Sequence, residues 1–200
     1  MNSEHYQNFL RFQSLGQKNK ATKSLRDFIS SFESIEEIDN WVWANLADLS
    51  SNSNARVRHE IFHELIYPVL KSGYNKGDFT STLWLAKLIQ NVYQMAKIHE
   101  ELVGVSEMEL LRKCHTLEPE NNEVRLLLLE CIVKVLQYSE HEWPRGILYS
   151  HDGATLEQCE EIAEEIELAL RLDKEYQYTC FIKQFTKKLD QYRVKFKEPQ

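Results

Sequence analysis

The stretch from Glu123 to Leu136, EVRLLLLECIVKVL, constrains this chain more than any other. Leu126, Leu127, Leu128, Leu129, Cys131, Ile132, Val133, Val135 and Leu136 leave almost no polar side for a helix spanning this region, from about Asn121 to Tyr138. A helix apolar on nearly every face has to be packed between others. It falls short of the roughly 20 apolar residues needed to cross a bilayer, and Arg125, Glu130 and Lys134 interrupt it. The rest of the chain must therefore supply helices that cover it.

Those helices are legible from period and punctuation. Tyr6, Phe9, Leu10 and Phe12 mark a first amphipathic helix closed by Gly16; Leu25, Phe28, Ile29 and Phe32 mark a second. Ser34 with Glu37 forms a capping box that opens a third, carrying Ile38, Trp41, Val42, Leu46 and Leu49 and ending at SSNSN, residues 50–54. A fourth runs from near Ala55 through Ile61, Leu65 and Leu70 to Gly73, with a kink expected at Pro68. Asp78 is placed to cap a fifth, with Leu83, Trp84, Leu88, Val92, Tyr93 and Met95 as its apolar stripe, and Gly104 interrupts the pattern. Ser106 with Glu109 and Thr155 with Gln158 are two further capping boxes. After Thr155, the apolar residues Leu156, Cys159, Ile162, Ala163, Ile166 and Leu170 define a core face. A last helix, from about Lys174 to Phe196, buries Tyr178, Phe181, Ile182, Phe185, Leu189 and Tyr192.

The six glycines fall between these segments, and no stretch alternates as a half-buried strand does. With 200 residues, 42% apolar and 28% charged, the chain suits one all-α domain over residues 1–200. The expected architecture is about nine helices in stacked antiparallel hairpins, as an irregular solenoid or bundle.

A net charge of −7 disfavours nucleic acid and favours basic partners. The basic groups near the ends, QKNK with Lys23 and Arg26 and then Lys195 and Lys197, are too small to reverse that balance. Cys114, Cys131, Cys159 and Cys180 form no CxxC pair and sit in apolar helical patterns, so they read as buried free thiols of a reducing compartment. The start of the chain has no basic segment followed by an apolar one, and no stretch is apolar enough to span a membrane. A cytoplasmic location is expected.

Three segments carry candidate chemistry. In HEIFH, His59 and His63 share a helix face and can bind one zinc ion, with Glu60 as general base on a bound water. This would make a zinc-dependent hydrolase. Arg58 and Glu64 flank the motif where zincins usually carry uncharged residues, and no third ligand is recognisable, although His99 and Glu100 follow later. The alternative is a solvated helix face laced with ion pairs. In the second segment, Glu157, Glu160, Glu161, Glu164 and Glu165 recur at helical spacing opposite the core residues of their own helix, suited to steering a basic partner. The alternative there is an ordinary solvated face, partly neutralised by Lys183, Lys187 and Lys188. The third segment, YSEHEWPRGILYS from Tyr138 to Ser150, breaks the helical pattern at Pro144 and Gly146. It forms a corner between the most apolar helix and the most acidic one. Trp143 is expected to pack against it, with Arg145 and Tyr149 available to a partner. No Walker loop, GxGxxG, GxSxG or Cys–His–Asn arrangement is present, and no cofactor is expected.

LLRKCHTLEPENNEVRLLLLE resembles the junction of a tetratricopeptide repeat, where one helix ends in Leu-x-Pro and another begins shortly after, and ELALRLDKEYQYTCFIKQ repeats the theme. The two junctions, at Leu117 and Leu172, lie farther apart than the period of about 34 residues such repeats require. The resemblance thus implies stacked hairpins rather than a regular array. HEWPRGILY, following the LEPENN helix and preceding a Cys-bearing acidic helix, is similar to small helical proteins that serve as immunity proteins beside bacterial polymorphic or contact-dependent toxins. That similarity implies that the partner is a toxin domain; the charge pattern and the lack of catalytic motifs point to a non-enzymatic protein that binds a basic partner through Glu157, Glu160, Glu161, Glu164, Glu165, Arg145 and Tyr149. A helical adaptor or structural protein is the further alternative.

Overall fold

The computed structural model describes residues 1–51, 57–94 and 105–196, without the side chains of residues 47 and 49–51. Ala55, Met95, His99, Glu100, Gly104, Lys197 and the Leu49 side chain lie outside the described residues. The fold is all-α, with a single two-stranded ribbon among the described residues. Where the composition suggests one domain over residues 1–200, the contacts divide into two compact units, Met1–Gly104 and Val105–Gln200.

In the first unit, α1 (Ser3–Ser14) and α2 (Lys18–Ile29) form a hairpin that reverses at Gly16, whose φ of 69° suits glycine, and α3 (Ile35–Ser51) follows. Ser50 and Ser51, expected to begin a break, continue α3. Tyr6 of α1, Phe28 of α2 and Trp41 of α3 meet as an aromatic cluster, with centroids 4.9 Å apart for Tyr6–Phe28 and 5.3 Å for Phe28–Trp41. Each such pair adds about 0.5–1.5 kcal/mol beyond its buried area, which makes the cluster the organiser of these three helices. At the start of α3 the capping box is half formed. The Glu37 amide donates to the Ser34 hydroxyl at 3.1 Å, but the Glu37 carboxylate accepts from the Glu33 amide and the N-terminal ammonium instead of from Ser34. Its two oxygens are thus taken, one by the ammonium and one by the Glu33 amide, which leaves the Ser34 amide out of the box.

The helical run around Pro68 is continuous. It consists of α4 (His59–Ile61), a π-helical segment (Phe62–Ile66) and α5 (Tyr67–Asn75). Pro68 has no amide to donate, and its ring crowds the carbonyl four residues back. The chain responds by widening the preceding turn, so that the Tyr67 amide donates to the Phe62 carbonyl, five residues back. The disturbance expected at Pro68 thus takes the form of a π turn.

Beyond it, the Asp78 carboxylate accepts from the Ser81 amide at 2.7 Å and caps α6 (Phe79–Lys87), as expected. The single fifth helix of the sequence reading is instead two, because Leu88 leaves helical geometry between α6 and α7 (Ile89–Tyr93). Leu83, Leu88 and Val92 of the expected stripe are buried, joined by Leu85, Ala86 and Ile89, whereas Trp84 is half-buried and Tyr93 exposed.

In the second unit, α8 (Glu107–Leu117) and α9 (Asn122–Ser139) form a hairpin turned at Pro119. The all-apolar helix, α9, packs against α8, against α10 (Leu156–Leu172) and against β1 (Leu148–Tyr149). Val124, Leu128, Leu129, Ile132, Val133 and Leu136 are buried, while Val135 and Tyr138 remain exposed. Both capping boxes of this unit are complete, at Ser106–Glu109 and Thr155–Gln158.

β1 pairs antiparallel with β2 (Asp152–Gly153) across a turn in which Ser150 has φ 60°. Two residues per strand are too few for alternation to show in the sequence. On α10 the core stripe is Cys159, Ile162, Ile166, Ala169 and Leu172, with Leu156 and Leu170 exposed, contrary to expectation. The last helix, α11 (Thr179–Val194), starts later than the expected Lys174, after a turn with Tyr176 at φ 57°. Cys180 consequently lies in its first turn and is exposed, while Cys114 and Cys159 are buried and Cys131 is half-buried.

Gly73 also departs from expectation, since it lies inside α5 rather than between helices. A Cβ there would sit 2.0 Å from Ser81 Oγ and 2.6 Å from Ser81 Cβ, so α5 and α6 approach too closely for any side chain. In an open helix interior Gly→Ala gains about 1 kcal/mol. Here Gly73→Ala is expected to reverse that sign and cost about 1–3 kcal/mol, read as a lower denaturant midpoint with an unchanged slope.

Candidate protein-binding face on the acidic helix

The five glutamates of α10 fall into three environments. Glu160 and Glu165 are drawn to its flanks. Arg193 of α11 reaches Glu160 with Nη2 2.8 Å from Oε2, and Arg112 of α8 pairs with Glu165. Glu157, Glu161 and Glu164 remain exposed and recur at i, i+4 and i+7, forming a row along one face. Glu157 and Glu164 have no ion-pair partner among the described residues. Glu161 accepts the Tyr149 hydroxyl. That bond pushes the Tyr149 phenol above its ordinary range, with burial and the Glu161 and Glu165 charges adding to the shift.

The neutralisation expected from Lys183, Lys187 and Lys188 does not occur as foreseen. Lys188 pairs with Glu140 at 2.6 Å, Lys183 and Lys187 are exposed, and the pairing of the acidic helix falls to Arg112 and Arg193. Tyr149 and Glu161, two of the residues singled out in the sequence, are thus brought into contact by the ribbon. Arg145 lies exposed on the preceding turn, and its carbonyl accepts from Lys195 Nζ at 3.3 Å.

The corner that carries Tyr149 is fixed from beneath. Ile147 is fully buried, the Ala154 amide donates to the Ile147 carbonyl at 2.8 Å, and the Tyr192 hydroxyl of α11 donates to the Ala154 carbonyl at 3.1 Å. A Cβ on Gly153 would lie 3.1 Å from that hydroxyl, so the ribbon sits close against Tyr192. Trp143, expected to pack here, is half-buried, and the buried support comes from deeper residues. Ile147 and Tyr192 take that role.

Two buried polar groups, neither of them singled out in the sequence, set the direction of α10 and α11. Arg125 of α9 is 3% exposed. Its guanidinium donates to the Leu172 carbonyl at the end of α10, to both carboxylate oxygens of Glu175 at 2.9 and 2.7 Å, and to Asn122 Oδ1 at 3.1 and 2.7 Å. Asp173, 2% exposed, accepts from the amides of Gln177 and Tyr178 at 2.8 and 2.9 Å and from the Thr179 hydroxyl at 2.8 Å. It closes the turn that delays α11. Arg125 shares the inner stripe of α9 with Leu129 and Ile132, and a charge at such a position is the signal that could have revealed it.

The HEIFH residues are placed as the spacing requires. The His59 and His63 rings lie parallel, 4° apart in orientation with centroids 6.2 Å apart. Glu60, however, is held by Arg58, whose Nη2 and Nε lie 2.9 and 3.2 Å from the two carboxylate oxygens. His63 Nδ1 is 2.8 Å from Glu64 Oε1. Among the described residues, no group of three or more His, Cys, Asp or Glu is arranged to hold a metal ion. Burial pushes the Cys114 and Cys131 thiols up to about 11, so neither is a thiolate at neutral pH. Among the described residues, no helix is long and apolar enough to cross a membrane. No protein-family model, curated protein or solved structure matches the chain.

Burial pushes the Asp173 carboxyl up, but hydrogen bonds from the Thr179 hydroxyl and the amides of Tyr178, Gln177 and Thr179 outweigh it and hold the group below its usual value of 3.8. Its contribution to stability is therefore complete above that value and is lost as pH falls through the lower folded one. Asp173→Asn, which turns an acceptor toward donors with half its capacity, should cost about 1–2 kcal/mol at neutral pH. The deficit relative to the parent should shrink in denaturation curves taken below pH 3.8.

Proposed function

We propose that the chain is a non-enzymatic protein-binding protein of the cytoplasm, and specifically an immunity-type protein that neutralises a cognate toxin by covering it with the acidic face of α10. The observation that carries this reading is the exposed row Glu157, Glu161 and Glu164, with the Tyr149 hydroxyl bonded to its middle member. Three carboxylates at consecutive turns attract a basic surface at long range and raise the association rate. A tyrosine, 37% exposed at the edge of that row, supplies the apolar contact that charge alone lacks.

The second unit suits this role because its specific features support a face rather than a cleft. Arg125 and Asp173 hold the ends of α10 and α11, and Tyr192 holds the ribbon. A face kept in one shape before binding loses less entropy on association than a mobile one. A hydrolytic reading of HEIFH draws less support, since the carboxylate that would serve as general base is engaged on both oxygens by Arg58. The adaptor reading shares the same face and differs in what its partner does.

The test is affinity capture from the native host with the parent chain and with a Glu157→Gln, Glu161→Gln, Glu164→Gln variant. The parent is expected to retain a basic protein whose expression alone arrests growth, and co-expression of the parent should restore growth. The variant should associate with that protein about tenfold more slowly or worse at low salt. Capture that is indifferent to the three substitutions, or a captured partner that is harmless without this chain, would contradict the proposal.

A further inference from the structure

We propose that His59 and His63 form a two-imidazole chelate for a borderline divalent transition-metal ion such as Ni2+ or Zn2+, a binding site in the first unit that is independent of the acidic face. Three observations support it. The two rings project from consecutive turns of one helical run and lie parallel, with centroids 6.2 Å apart and 4° between their planes. The ring nitrogens' lone pairs lie in the ring planes, so the two rings must rotate out of parallel for one nitrogen of each to meet a common ion at the usual Zn–N distance of about 2.0–2.1 Å, and the i, i+4 spacing on one face leaves that rotation open. His59 is exposed and His63 is partly so, which leaves the ion access from solvent.

The third observation concerns the tautomer of His63. Its Nδ1 lies 2.8 Å from Glu64 Oε1, and an ionised carboxylate only accepts hydrogen bonds. A neutral His63 in this arrangement carries its proton on Nδ1 and presents the lone pair on Nε2. A carboxylate that fixes the tautomer and orientation of a ligating imidazole in this way is a common outer-sphere partner of metal-binding histidines. Glu64 thus acts as a positioning residue for the chelate.

The same geometry separates binding from catalysis. Glu60, the general base of a zincin, is paired bidentately with Arg58. Among the described residues no third protein ligand joins the two imidazoles. Water fills the remaining coordination positions. Imidazole donors suit Ni2+, Cu2+ and Zn2+ and discriminate against Mg2+ and Ca2+, which prefer oxygen.

The experiment is calorimetric titration of the full chain with Ni2+ alone, with circular dichroism to verify that each variant stays folded. The parent is expected to show one saturable site that is lost in both His59→Ala and His63→Ala. Glu64→Ala should weaken it about tenfold. Cys180→Ser and His151→Ala should leave it unchanged, which separates the chelate from the exposed thiol and from scattered histidines. Absence of saturable binding by the parent, or binding that survives His59→Ala and His63→Ala, would overturn the inference. Both histidines are on the outside of the first unit, so neither outcome bears on the toxin-binding reading of α10.

Discussion

The buried guanidinium of Arg125 is the interaction on which the second unit depends most. A charge removed from water costs several kcal/mol unless its hydrogen-bonding capacity is filled, and here it is filled from three places: Asn122 in the same helix, the carbonyl of Leu172 at the end of α10, and Glu175 in the turn before α11. The guanidinium therefore fixes where α10 ends relative to α9. Asp173, next to Leu172, then fixes where α11 begins.

The consequence for function is directional. With its C-terminal end tied to Arg125, and with the ribbon at its N-terminal end held by Tyr192, α10 keeps its buried stripe of Cys159, Ile162, Ile166 and Ala169 toward the core. The opposite side then carries Glu157, Glu161 and Glu164. Ion pairing with Arg112 and Arg193 takes up the carboxylates at the two flanks and concentrates the unpaired charge along the middle. Both pairs are partly buried, with the Glu165 side chain 27% and the Arg193 side chain 20% exposed. Their effect is to narrow the face on which a basic partner would find free carboxylates.

Helix boundaries and caps were legible where the signal is local. Ser106, Thr155 and Asp78 cap as their sequence contexts require, because a cap needs only residues within one turn. The acidic row was legible for the same reason, being a matter of spacing within one helix. What escaped the sequence depends on long-range partners. Gly73 is required by Ser81 of the next helix, the late start of α11 by the Asp173 carboxylate, and the pairing of Glu160 and Glu165 by arginines from two other helices. Arg125 stands in register with the inner stripe of α9, but on a helix apolar on nearly every side a single charge reads equally as its solvated edge, and its partners Leu172 and Glu175 lie far along the chain. The ribbon escaped because strands of two residues carry no period.

The acidic face of α10 as a docking surface is the central claim, and chemical-shift mapping of the labelled chain against its captured partner tests it most directly. The expected result is perturbation concentrated at Tyr149, Glu157, Glu161 and Glu164, with little change at His59 and His63. Perturbation confined to the first unit, or to α9 and α11 with the α10 row unmoved, would contradict it.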